Sequence, residues 1–327
     1  MLGYCVLPII GEIKKMKVFI TGATGFIGGY LVRELLNHEY QIKILSRNKS
    51  KTLPGTEQVI GDITKPESFS EALQDIDVVF HNAAYAMDHG VKNNFYAINV
   101  QGTRNVAEAC VKNGIDQLIY TSTAGIYGYP KQGTIITEDT PKNPLNVYQK
   151  TKWLGEVSLK DYDTLRVSAI RPPLVFGPGS PALKIAFEKL SKQKFPFIGS
   201  GEQLLPIVHP ADVARCMRTI LEKDTQGDVF NVVGFQVSIK KFLNTIAEKT
   251  HISPPKKHVP YALAYTASMF SEFFTKDPNL TRFRVKSLGC TRIISADKAN
   301  KILGFTPVYD FEKTVDDIVN WCNRELR

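Results

Sequence analysis

A short apolar run, Lys17-Val-Phe-Ile-Thr21, feeds into Gly22-Ala-Thr-Gly25-Phe-Ile-Gly28, and helical spacing of apolar side chains follows as far as Asn37. Strand, glycine-dense turn and helix in that order leave few architectures open, because the glycines let backbone approach backbone and the helix start carries unpaired N–H groups that favour a phosphate. The same alternation continues. Residues 17–21, 41–45, 58–60, 78–81, 117–121 and 165–170 read as buried strands, and 25–37, 66–73, 95–113 and 147–159 carry helical spacing. This predicts an α/β fold with a doubly wound, Rossmann-type parallel sheet and ligands at the carboxyl ends of its strands.

Beyond Phe176-Gly-Pro-Gly-Ser-Pro181 the alternation loosens, and Pro and Gly mark connections. At 327 residues the chain suits one large domain and a smaller one. We divide it into an N-terminal extension over 1–15, an NAD(P)-binding Rossmann domain over 16–176 and a smaller substrate-binding lobe over 177–327. The stretch around 207–233 is expected to return to the sheet through a helix at 211–222 and a strand at 229–233. Residues 238–249 read as a further helix, starting at Ser238-x-x-Lys241 without the acidic partner of a capping box. The apolar run at 4–10 lacks a basic start and a small-residue cleavage site, so the fold is expected to begin at Met16. No stretch reaches the roughly 20 apolar residues of a membrane span.

The net charge of +9 comes from scattered Lys and Arg. Its densest clusters, Lys14-Lys15 and Pro254-Pro255-Lys256-Lys257, lack interleaved aromatics, which argues against nucleic acid and leaves a mild field that would steer anions. Cys5, Cys110, Cys216, Cys290 and Cys322 lie far apart, without Cys-x-x-Cys or clustered His. Reduced thiols, a cytoplasmic protein and no metal are therefore expected.

Tyr148 and Lys152, in Val147-Tyr-Gln-Lys-Thr-Lys-Trp153, stand one helical turn apart and share a face, which brings a phenol within reach of an ammonium. A phenol has a pKa of about 10, and a nearby cation favours its ionised form. Tyr148 is thus a candidate general acid for carbonyl reduction, or base for alcohol oxidation. A lone Tyr-x-x-x-Lys is usually a solvated helix face. Here the glycine turn precedes it and the hydroxyl run Thr121-Ser122-Thr123 lies just upstream, and together they predict a nicotinamide-dependent oxidoreductase.

The glycine spacing, Gly-x-x-Gly-x-x-Gly, resembles that of the extended short-chain dehydrogenase/reductase family, within the NAD-dependent epimerase/dehydratase superfamily. The likeness runs in order through Gly61-Asp62, His81-Asn-Ala-Ala84, Asn99-Val-Gln-Gly-Thr-Arg-Asn105, Thr121-Ser-Thr-Ala-Gly-Ile-Tyr-Gly128, Tyr148-x-x-x-Lys152 and Arg171-Pro-Pro-Leu-Val-Phe-Gly-Pro178. By this resemblance Tyr148, Lys152 and Thr123 are the catalytic group, with Ser122 the alternative if the register slips by one. Lys152 would also hold the nicotinamide ribose and Asp62 would contact the adenine. Gly22, Thr24, Gly25, Phe26, Ile27, Gly28, Ile63, Asn82, Ala83, Ala84, Asn99 and Pro172 would complete the cofactor wall. Tyr85, Thr123, Ala124, Leu174 and Leu205 would face the substrate. The helices at 95–113 and 147–159 would form the family's dimer bundle.

Cofactor choice is read at the end of the second strand, where a carboxylate binds the adenosine ribose and an Arg accommodates a 2′-phosphate. Ser46-Arg47-Asn48-Lys49 has no carboxylate, so Arg47 points to NADP(H) over NAD(H); the alternative is that it stacks on adenine in an NAD enzyme. Family members acting on nucleotide-sugars carry polar anchors where this chain has Leu174, Leu205 and Cys290-Thr-Arg-Ile-Ile294. A diphosphate buried without charged partners is costly, so a small, more apolar substrate is expected. Pro278-Asn-Leu-Thr-Arg-Phe283 and Ser295-Ala-Asp-Lys-Ala-Asn-Lys-Ile-Leu-Gly-Phe305 are similar to the 3β-hydroxysteroid dehydrogenase and dihydroflavonol reductase-like branch. The apolar stretch 259–274 is either core, a roof over the pocket or a membrane-surface contact. The leading expectation is a carbonyl reductase or 3β-hydroxy dehydrogenase. A nucleotide-sugar epimerase or dehydratase is the alternative, and a non-catalytic cofactor-binding protein the third.

Overall fold

A computed structural model of the chain describes residues 15–325 except 224, 226, 276, 277 and 279. The predicted extension before Met16 lies outside the described residues apart from Lys15. In chain order the strands are β1 (Lys17–Thr21), β2 (Gln41–Ser46), β3 (Thr56–Ile60), β4 (Val78–His81), β5 (Gln117–Thr121), β6 (Ile135–Ile136), β7 (Arg166–Arg171), β8 (Leu174–Val175), β9 (Phe197–Ile198), β10 (Leu204–Val208), β11 (Val229–Asn231), β12 (Phe235–Ser238), β13 (His258–Val259) and β14 (Ile293–Ile294). Seven of them form one sheet in the order β11-β7-β5-β4-β1-β2-β3, every pairing parallel. Val18, Phe19 and Ile20 are fully buried because both faces of such a sheet are covered. One face packs against the helices Phe26–Leu36 and Pro210–Glu222, the other against Gly102–Lys112. Strand order reverses direction at β1, between β2 and β4, which opens a crevice at their carboxyl ends.

Two predicted helices differ. Residues 66–73 form two short 3-10 turns, Pro66–Ser68 and Ser70–Leu73, because Phe69 between them leaves helical geometry at φ −145°. The helix predicted over 95–113 begins at Lys92 and widens into a π segment at Ala97–Gln101, where the Asn99 side chain is drawn to partners outside the helix.

The remaining strands build the second lobe, in which β8, β10 and β12 form a separate sheet over a core that includes Leu205, Phe242 and Trp321. The expected return to the large sheet is made by the helix Pro210–Glu222 and by β11 alongside β7, whereas Ile207 and Val208 belong to β10. The helix Ile239–Lys249 starts at Ser238, whose hydroxyl accepts from the Lys241 N–H at 3.1 Å without any acidic partner. The apolar stretch 259–274 is mostly the helix Tyr261–Phe274, and it is not core: Phe270, Phe273 and Phe274 are 66%, 82% and 76% exposed. Among the described residues no helix is long and apolar enough to cross a membrane.

Candidate active site

The turn after β1 is held by contacts that admit no side chain. Gly22 has φ +70°, and a Cβ there would lie 2.6 Å from the Ala83 nitrogen; a Cβ on Gly28 would lie 2.1 Å from the Gly22 oxygen. Gly25 stands at the start of the helix Phe26–Leu36 and supplies no side-chain cap, so the first-turn N–H groups, including those of Phe26 and Ile27, are left for an anion. Thr24 is half-buried in the turn itself. Beside it runs a cleft of about 370 Å³ lined by Gly22, Arg47, Asp62, Ile63, Ala83 and Ala84. One Asp62 oxygen accepts from the Thr64 N–H at 2.9 Å and hydroxyl at 2.8 Å, which fixes the carboxylate at the cleft edge. Asn82 donates to the Gly22 carbonyl at 3.4 Å. These features fit a dinucleotide: free N–H groups and close backbone for the pyrophosphate, a cleft with a cation and an anion for the adenosine.

Three predicted residues sit elsewhere in this arrangement. Tyr85 lines the cofactor-side cleft, its ring edge-on to Phe95 with centroids 4.7 Å apart, and is not in the cavity that holds Tyr148. Asn99 is fully buried; it accepts from the Tyr85 N–H at 2.7 Å and donates to the Tyr85 carbonyl at 3.3 Å and Thr151 hydroxyl at 3.1 Å, so its polar atoms position the 83–85 loop. Ala124 packs in a core with Ile126 and Tyr127, its N–H bonded to the carbonyl of buried Pro172 at 2.9 Å.

The helix Val147–Ser158 opens on Asn146, whose side chain accepts from the Gln149 N–H at 2.9 Å. It is anchored to the end of β7 by Glu156, which pairs with buried Arg171; Arg171 also donates to the Tyr127 hydroxyl at 2.7 Å. So held, the helix projects Tyr148 and Lys152. Tyr148 keeps part of its surface open, yet the protein around it pushes its pKa up to about 12 by burial. Lys152 is 1% exposed, and its Nζ has no hydrogen-bond partner among the described residues; it lies 4.0 Å from the centre of the Tyr120 ring. Burial brings its pKa down to about 7, against an opposing pull from Glu156. An orphaned ammonium at this depth fits a ligand's hydroxyl groups.

Thr123, Tyr148, Leu174 and Leu205 line one cavity of about 70 Å³, together with Phe283 and Arg292. Thr123 accepts from the Gly125 N–H at 3.0 Å, which leaves its own proton to donate. Ser122 is buried and does not line the cavity, so the register favours Thr123. The apolar wall matches expectation at Leu174 and Leu205. The segment 290–294, read as a lost polar anchor, instead delivers a cation: Arg292 is 8% exposed, with its guanidinium carbon 5.3 Å from the Tyr129 ring centre. No motif flagged Tyr129 or Arg292; their position depends on packing between the two lobes.

The family described as "NAD dependent epimerase/dehydratase family" matches residues 18–233 of the chain. A mouse protein named sterol-4-alpha-carboxylate 3-dehydrogenase, decarboxylating, is 28% identical, covering 94% of this chain and 91% of that protein. The 2-alkyl-3-oxoalkanoate reductase of Shewanella oneidensis is 27% identical, covering 92% and 84%. Among solved structures, MoeE5 in complex with UDP-glucose and NAD is 26% identical with a TM-score of 0.76, covering 95% of this chain and 100% of that one.

Proposed function

The chain belongs to the NAD-dependent epimerase/dehydratase family and is a nicotinamide-dependent oxidoreductase acting on CH–OH or C=O groups, and on that premise we propose that it interconverts an apolar alcohol and its ketone. The observation that carries this is the cavity that joins Tyr148 and Thr123 to Leu174 and Leu205. The two curated relatives act, by name, on apolar bodies, a sterol and an alkyl chain, that also carry a carboxylate. The experiment is a spectrophotometric assay of steroid, keto-lipid and aryl ketone substrates against UDP-glucose; conversion of UDP-glucose without net cofactor consumption would favour the epimerase reading.

A bound nicotinamide dinucleotide would supply the hydride donor or acceptor and, when oxidised, a positive charge. In the direction of reduction the Tyr148 hydroxyl gives its proton to the substrate oxygen, and Thr123 donates a hydrogen bond to the same oxygen. In oxidation Tyr148 takes the proton, and the charged Lys152 counters the burial that disfavours phenolate. Hydroxyls of the bound ribose, accepting from Lys152 Nζ, would favour its charged form and so couple cofactor binding to the acidity of Tyr148.

For the cofactor we propose NADP(H), held at its 2′-phosphate by Arg47, which stands exposed at the end of β2 in the cleft wall. Arg47→Ala should weaken NADPH more than NADH by about 1.5 kcal/mol or more, roughly tenfold. Titrating each cofactor against intrinsic fluorescence checks this, and equal losses would remove Arg47 from the phosphate.

We assign the exposed apolar end of the helix Tyr261–Phe274 to contact with a lipid surface, on the exposure of Phe270, Phe273 and Phe274. Cosedimentation with phosphatidylcholine and phosphatidylserine vesicles should be lost in Phe273→Asp/Phe274→Asp. A wild-type chain that stays in the supernatant sinks the assignment.

A further inference from the structure

We propose that Arg292 binds an anionic group of the substrate, and that the substrate is an apolar hydroxy or keto compound with one carboxylate a few bonds from the reacting carbon. The proposal rests on the dehydrogenase reading and deepens it. Two buried arginines make the contrast. Arg171, 4% exposed, is paired with Glu156. Arg292, 8% exposed, has no ion pair and no side-chain hydrogen bond among the described residues, and its neighbours in the cavity wall include Leu174, Leu205, Pro206 and Phe283. The ring of Tyr129 is beside it, but the Tyr129 hydroxyl donates to Ser287 at 3.1 Å. Burial lowers the pKa of Arg292, the opposite of the shift at Arg171. A buried cation without an anion is costly, and a chain that keeps one is built to receive the anion from elsewhere.

The backbone around Arg292 is fixed for that purpose. Its N–H donates to the Leu204 carbonyl at 2.9 Å, the Leu204 N–H donates to the Thr291 hydroxyl at 3.2 Å, and the next two residues, β14, pair with β6. A single guanidinium matches a single carboxylate with two parallel hydrogen bonds. One cavity of about 70 Å³ contains both Arg292 and the proton-transfer pair Tyr148 and Thr123. Carboxylate and reacting oxygen must therefore lie close together, as they do in 3-hydroxy and 3-oxo acids.

The test uses the whole protein with saturating NADP⁺ or NAD⁺ and four probes: 3-hydroxydecanoate, 2-hydroxycyclohexanecarboxylate and the methyl ester of each. Wild type should favour acid over ester by about ten- to a hundredfold, chiefly through KM. In Arg292→Met the acid-to-ester ratio should fall to about one, Arg292→Lys should recover part of it, and the melting temperature of the Met variant without ligand should equal or exceed wild type. Equal use of acid and ester by wild type, or an acid preference that survives in Arg292→Met, overturns the assignment and leaves the dehydrogenase reading standing. A lower melting temperature with unchanged acid preference marks Arg292 as a structural partner of Tyr129 and also overturns it. Thermal protection of wild type by UDP-glucose that disappears in Arg292→Met assigns the residue to a phosphate and overturns the carboxylate. No oxidation of any probe with either cofactor brings down both readings together.

Discussion

Tyr148→Phe should bind cofactor as wild type does and lose about two to four orders of magnitude in kcat, the usual contribution of a positioned acid or base. The substitution removes one oxygen whose hydroxyl makes no hydrogen bond to a described residue, so the fold has little reason to respond. What it removes is the only group in the cavity able to pass a proton to the substrate oxygen while Thr123 holds that oxygen by a hydrogen bond. The pH dependence carries the same signature. The surrounding protein alone holds the Tyr148 phenol at about 12, so oxidation, which needs phenolate, should accelerate as pH rises, while reduction, which needs the phenol, should not. That slope should vanish in the Phe variant. Near-wild-type turnover, or an unchanged pH profile, would take Tyr148 out of the mechanism.

The parts of this molecule legible in the sequence are those whose physics is local. β1, β4 and β5 fall where their apolar runs predict because strands buried on both faces carry no competing pattern. The glycine turn was equally legible, since what forbids a side chain at Gly22 and Gly28 is backbone packed within the same strand-turn-helix unit and the adjacent strand end. Periodicity failed where tertiary demands override it. The π segment at Ala97–Gln101 exists around Asn99, whose partners Tyr85 and Thr151 no helical pattern in 95–113 could name. Residues 66–73 carry the apolar spacing of a helix but too little length to hold one, and the chain breaks at Phe69. The apolar helix Tyr261–Phe274 resembled core by composition, yet buries only Ala264 and Ser268. Arg292 was the least legible: a comparison with motifs registers an anchor as missing, while only the folded chain shows a cation placed against Thr123 and Tyr148 from far along the sequence.

Lys152→Met should abolish turnover and at the same time stabilise the protein in the absence of ligand. The wild-type ammonium sits 1% exposed with no hydrogen-bond partner among the described residues, and burial lowers its pKa from 10.5 to about 7. In the unfolded chain that proton stays bound up to about pH 10.4. Unfolding therefore takes up a proton between those limits, and the penalty on the folded state is fully present below about pH 7 and fades as pH rises towards 10.5. At neutral pH it is on the order of 4 kcal/mol, of which the contact with the Tyr120 ring, 4.0 Å away, recovers a part. Methionine fills similar volume without the charge, and a gain of about 1–4 kcal/mol is expected, several degrees in melting temperature. The sign is checked by measuring both proteins across pH 6 to 9: the advantage of the variant should be largest at the acid end and shrink towards the alkaline end. Activity should fall at every pH, because the variant neither holds the ribose nor favours phenolate at Tyr148. A melting temperature lower than wild type across the whole range, with turnover retained, would mean that Lys152 serves packing rather than proton transfer. The predicted pairing of lost catalysis with gained stability is what separates a functional buried lysine from a structural one.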